Sequence, residues 1–195
     1  MLKKLFAVFA TALSLIFVSG STAATRPSDA VQQKTQEIVF GPVRTYDHKS
    51  GWFSLTMPGN WTVSDKSGEG EVIVSIIDPT ENGVIVVRVY QPSRGYTQAA
   101  LGDLLKGFLN ERMGTFDGFS MGESKSQRDG SLGLYFKYNS VVEGVTYKMY
   151  GDAFIERHNG LIGVLTLIMP QEQYEAKQKA AYEVVNSFRV TGAAP

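Results

Sequence analysis

Two stretches constrain this chain more than any other feature: Val72 to Ile77 and Val84 to Tyr90. Both are nearly unbroken runs of β-branched residues, whose stiff side chains suit a pleated strand better than a helix. Side chains alternate between the two faces of a strand, so a run without polar alternation is apolar on both. Only Arg88 interrupts the second run. A sheet containing such strands needs cover on both sides. A half-exposed sheet is thereby excluded, and the rest of the chain must supply two covering layers.

The remaining patterns supply them. Phe53, Leu55 and Met57 alternate with Ser54 and Thr56 before Pro58-Gly59-Asn60 breaks the strand, and Trp61-Thr62-Val63 is short but β-prone. Three more strands are predicted over 132–142, 145–156 and 161–168, separated by Glu143-Gly144 and by Asn159-Gly160, a two-residue hairpin signal. Between the two groups of strands, Thr97 can cap a helix with Leu101, Leu104, Leu105, Phe108, Leu109 and Met113 on one face. Gly114 and Gly118 stand where that helix should stop. After Pro170 a second helix carries Tyr174, Ala181, Val184, Val185 and Phe188 on one stripe. Placing one helix on each face gives an α+β fold, an α/β/α sandwich with a largely antiparallel β-sheet flanked by helices.

The N-terminus reads as a secretory signal. Lys3 and Lys4 precede an uncharged run from Leu5 to Val18, and Ser21 and Ala23 offer small side chains to a signal peptidase. Cleavage is expected between Ala23 and Ala24. The expected organisation is a signal peptide over 1–23, a flexible lead-in over 24–40, a single domain over 41–190 and a tail over 191–195. The whole chain balances 19 basic against 19 acidic residues. Without Lys3 and Lys4 it becomes mildly acidic, which gives no long-range pull toward phosphate and argues against a nucleic-acid partner. The absence of cysteine removes disulfides, thiolate metal sites, cysteine nucleophiles and N-terminal lipid attachment.

Several motifs invite a catalytic or metal reading. Gly118-Phe119-Ser120-Met121-Gly122 matches a nucleophile elbow, and Asp152 and His158 follow in the order a serine hydrolase would use. An elbow requires a strand before the serine and a helix after it, whereas here a helix precedes and a strand follows. A glycine-rich loop with Phe119 turned inward accounts for the motif better. Asp78-x-Thr80-x-Asn82-Gly83 resembles the opening of a calcium loop, with Asp78 and Glu81 as weak metal candidates. The twelfth position, where a bidentate acid is needed, is Val89, so an Asx-type turn is the expectation. His48 and His158 are read as solvated turn residues, Trp61 as core, and no cofactor motif is present.

The order of these features resembles the PsbP family, whose best-known member is an extrinsic subunit of photosystem II. The resemblance is carried by Phe53 through Trp61, by Asp78-Pro79 before the Val84–Val89 strand, by Arg128-Asp129-Gly130 leading into Leu134 to Tyr138, and by Asn186 to Val190. The fold class is also similar to that of bacterial envelope proteins related to DcrB and LpqN. The resemblance implies a sandwich without catalytic residues that works by docking on a protein complex at a membrane surface or in the envelope, in photosynthetic members photosystem II. The expectation is an exported monomer of the periplasm or exterior, or of the thylakoid lumen in a photosynthetic host, with no membrane span once cleaved. Specificity would sit on exposed loops, with Lys125, Arg128, Glu143 and Asn159 as candidate contacts. The alternatives are a secreted hydrolase using Ser120 and a carrier of lipid or another small ligand.

Overall fold

In the computed structural model, residues 36–127, 129–142 and 144–192 are described. The described part of the chain opens with β1 (Val43–Asp47), β2 (Phe53–Pro58), β3 (Thr62–Asp65), β4 (Glu71–Ile77) and β5 (Val84–Tyr90). A single 3₁₀ turn, Gln98–Ala100, leads into helix α1 (Leu101–Met113). Then follow β6 (Ser120–Met121), β7 (Lys125–Ser126), β8 (Leu132–Val142), β9 (Val145–His158) and β10 (Leu161–Pro170). Helix α2 (Gln171–Val185) and β11 (Arg189–Val190) complete it.

The main sheet runs in the order β3-β4-β5-β10-β9-β8-β6, with β7 pairing β8 beside β6, and all its pairings are antiparallel. The β-branched runs occupy β4 and β5, and β10 is buried along its whole length. On one face, Val84, Val86, Ile162, Val164 and Ile168 meet Leu101, Leu105, Leu109 and Met113 of α1. On the other, Ile85, Val87, Leu165 and Leu167 meet Tyr174, Ala181, Val184 and Val185 of α2. The sandwich expected from two-faced strands is therefore present.

A second covering layer was not legible in the sequence. On the α2 face, β1, β2 and β11 form their own three-stranded sheet, which adds Phe53, Leu55, Met57 and Val190 to the core. Phe188 and Val190 lie over Gly163 of β10, where an added Cβ would come within 2.4 Å of Val190. Phe136 likewise lies over Gly151 of the neighbouring strand. Aromatic rings over strand glycines restore the packing that the missing side chains leave.

Residues 36–40, expected to belong to the flexible lead-in, are instead part of the domain. Ile38 is fully buried, and its N–H donates to Gln173 Oε1 at 2.6 Å. Gln173 Nε2 donates to the Gln36 carbonyl at 2.8 Å, and Trp61 Nε1 to the Val39 carbonyl at 3.1 Å. One amide side chain thus plays the part of a neighbouring strand. The signal segment with Ala23 and Ala24, and the remainder of the lead-in, lie outside the described residues. Among the described residues, no helix is long and apolar enough to cross a membrane.

Candidate functional site

The elbow motif does not assemble a triad. Ser120 opens β6 opposite Lys137 of β8, which in turn pairs with Tyr150 of β9. His158 lies eight residues further along β9, at the strand's far end, roughly 26 Å away at strand rise. Asp152 is buried and binds the Tyr174 hydroxyl at 2.6 Å. Phe119 packs against the α1-side core, as the loop reading expected.

Asp78 holds a turn together. It is 1% exposed; Oδ1 accepts from Thr80 N at 2.9 Å and from Thr80 Oγ1 at 2.5 Å, and Oδ2 accepts from Gly83 N at 2.5 Å. Glu81 is exposed at the turn, with φ of +59°. Both oxygens of Asp78 are thus engaged by the loop, as an Asx-type turn requires. Among the described residues, no group of three or more His, Cys, Asp and Glu side chains could hold a metal.

His48 corrects the sequence reading. It is 3% exposed rather than solvated, and it stacks on Phe53 with ring centroids 5.3 Å apart. The Ser50 N–H reaches Nδ1 at 3.2 Å, so Nδ1 is the acceptor and Nε2 carries the proton toward Asp65 Oδ2 at 3.3 Å. Ser50 Oγ, 2.7 Å from Nδ1, also accepts from Trp52 N at 3.2 Å. Lys49, then Ser67 and His48, hold the Asp65 carboxyl well below the usual carboxylate range. With two backbone N–H groups consumed, this Ser–His–Asp line secures the β1–β2 turn to β3. It is a structural tie.

The candidate contacts fall in different places. Lys125 is exposed on β7 at the sheet's outer edge, opposite Gly133. Asn159 sits in the β9–β10 turn with φ of +47°, followed by Gly160 at +82°, the backbone a tight hairpin demands. Gly144 lies at the opposite end of β9 from Asn159, so these two tips cannot meet one compact ligand. Arg128 and Glu143 lie outside the described residues.

Around Lys125 the fold leaves a surface uncovered. The α2-facing side of β8 is Gly133, Tyr135, Lys137, Asn139 and Val141, whereas α2 packs chiefly on β10, β9 and β2. Tyr135 is 58% exposed and Val141 65%. A groove of about 330 Å³ lies between α2 and this strand. Tyr182 and Asn186 line it from the α2 side, Tyr135 and Lys125 from the sheet edge, and Asp152 and Phe154 from β9. Its floor is low because Phe154 lies across Gly133, whose added Cβ would come within 2.6 Å of that ring. Burial pushes the Asp152 carboxyl up, and the Tyr174 hydroxyl offsets this only in part. Glu123 at the rim is paired with Lys106 at 2.5 Å. The groove thus joins two exposed phenol rings to one buried acid.

No family model matches the chain, and no curated protein does. Among solved structures it is similar to cyanobacterial PsbP (CyanoP) from Synechocystis sp. PCC 6803, at 15% identity over 88% of this chain and 99% of that one, with a TM-score of 0.56. It is also similar to the Saccharomyces cerevisiae Ran-binding protein Mog1p, at 9% identity over 77% of this chain and 96% of that one, with a TM-score of 0.52. LpqN, involved in cell envelope biogenesis of Mycobacterium tuberculosis, aligns at 14% identity over 77% of this chain and 91% of that one, with a TM-score of 0.47. The likeness to the first two of these establishes the fold, including the α+β sandwich described above.

Proposed function

We propose, from the PsbP-like fold of this chain, that it is an exported, non-enzymatic domain that docks on a protein complex at a membrane surface or in the envelope. The observation that carries this reading is the uncovered side of β8, where Tyr135 and Val141 stand exposed along one strand on a rigid sheet. An exposed aromatic and an exposed aliphatic side chain on one strand face, with Lys137 and Asn139 between them, suit a protein contact of mixed polarity. The strand register supports the non-enzymatic part, since it keeps Ser120 and His158 apart. The N-terminal Lys3, Lys4 and the apolar run to Val18 support export.

Photo-crosslinking in the native host tests the docking face. A benzophenone side chain at position 135 or 141 should capture the same membrane-associated protein, and one at the exposed Asp103 of α1 should not. Capture of the same partners from all three positions would refute the assignment of this face. Recovery of soluble chain with Met1 intact would refute export.

A further inference from the structure

Asp152 is 5% exposed, yet it lines the groove. Its Oδ2 accepts from Tyr174, and among the described residues Oδ1 accepts from no donor. Oδ1 is not sealed in, because no enclosed side-chain oxygen or nitrogen among those residues lacks a partner. It therefore keeps contact with solvent, and the groove is the opening that Asp152 lines. A carboxylate partly removed from water, with one oxygen still free, is best satisfied by a cation that brings its own N–H donors. The flanking groups narrow the choice. Tyr135 and Tyr182, 58% and 38% exposed, line the groove on the strand side and the helix side and bring aromatic rings to it. A guanidinium is planar, weakly hydrated and stacks on such rings, whereas an ammonium holds its water more tightly. The groove is also continuous, through Tyr135, with the exposed row on β8, which favours a side chain delivered by a protein over a free small cation.

We propose that this groove receives an arginine side chain of the docking partner, its guanidinium bonded to Asp152 Oδ1 and stacked on Tyr135 and Tyr182. The inference rests on the docking reading above and names the chemistry of the contact. The test titrates N-acetyl-arginine amide into the purified full chain and follows it by NMR, with the citrulline and lysine analogues as controls. The arginine probe should shift the resonances of Tyr135, Asp152, Phe154 and Tyr182. The neutral citrulline probe should bind at least about tenfold more weakly, and Asp152→Asn, which keeps an acceptor for Tyr174, should weaken the arginine probe about tenfold. Tyr182→Ala and Tyr135→Ala, both at exposed positions, should weaken it several-fold and provide the decision if the Asp152 variant does not fold. Equal binding of arginine and citrulline, equal binding of arginine and lysine, shifts confined to another surface, or insensitivity to both tyrosine variants would each overturn the proposal. If crosslinking from position 141 captures its partner while the arginine probe fails, docking stands and the arginine contact falls. If the probe binds the groove while crosslinking shows no preferred face, the docking reading falls instead.

Discussion

Replacing Gln173 with alanine tests whether residues 36–40 are part of the folded domain. The Gln173 side chain bonds the chain at two points 135 and 137 residues away, Ile38 N and the Gln36 carbonyl. Truncation leaves the Ile38 N–H without its acceptor beside a fully buried side chain, a loss of about 1–3 kcal/mol. The second bond adds about 1 kcal/mol, so the expected loss is about 2–4 kcal/mol. Ile38→Ala removes buried aliphatic volume and should cost about 2–5 kcal/mol. If Gln173 acts by holding Ile38 in place, the two losses overlap. The double variant should then be more stable than the sum of the single effects predicts, by at least about 1 kcal/mol. Equilibrium urea unfolding of all four proteins provides the cycle, with the midpoint shift read at constant slope. A loss below about 0.5 kcal/mol for Gln173→Ala, together with additive losses, would refute the claim that this amide anchors the segment.

Two further outcomes are expected. Asp65, depressed in the folded state chiefly by Lys49, adds stability above its unfolded value near pH 3.9 and loses it as the pH falls through the depressed value. Asp65→Asn should therefore lower stability at neutral pH and flatten the acid limb of urea melts collected across pH; an unchanged limb would count against the His48–Asp65–Lys49 tie. Trp61, 2% exposed and bonded through Nε1 to the Val39 carbonyl, should cost about 3–5 kcal/mol when truncated to alanine, and a calorimetric loss below about 1 kcal/mol would contradict its place in the core.

The main elements were legible because burial imposes local patterns. The runs at 72–77 and 84–90 could only be strands covered twice, and Leu101, Leu105, Leu109 and Met113 recur at one helical turn. The small sheet was not legible. Its β1 is exposed at four of five positions and β11 has only two residues, so neither writes a hydrophobic period. The docked segment at 36–40 escaped for another reason: its partners are side-chain amides and an indole far away in sequence, and such bonds leave no local signature. His48 misled because a buried turn histidine and a solvated one read alike until Asp65, 17 residues on, folds against it. At the groove, Asp152 attracted notice for the wrong chemistry, and among the described residues Lys125 was the one candidate contact that lines it. Tyr135 carried a usable signal, an aromatic on the polar phase of a strand between buried Leu134 and Phe136. Tyr182 carried none, being one more half-exposed residue on an amphipathic helix.

Sheet order and chain order disagree most at β10. It occupies the middle of the main sheet, yet it is the last of that sheet's strands to occur in the chain. The β3–β4–β5 meander and the β8–β9 hairpin share no hydrogen-bonded edge until Leu161–Pro170 arrives between them. A chain synthesised only as far as Gly160 thus holds two half-sheets, each with an unpaired strand edge awaiting β10. Loop closure between Val84 and Ile168 must then precede the β5–β10 pairing that joins the halves. Completion of the main sheet therefore waits for β10, and the interval before it is inserted is when β5 and β9 are open to pairing with another chain.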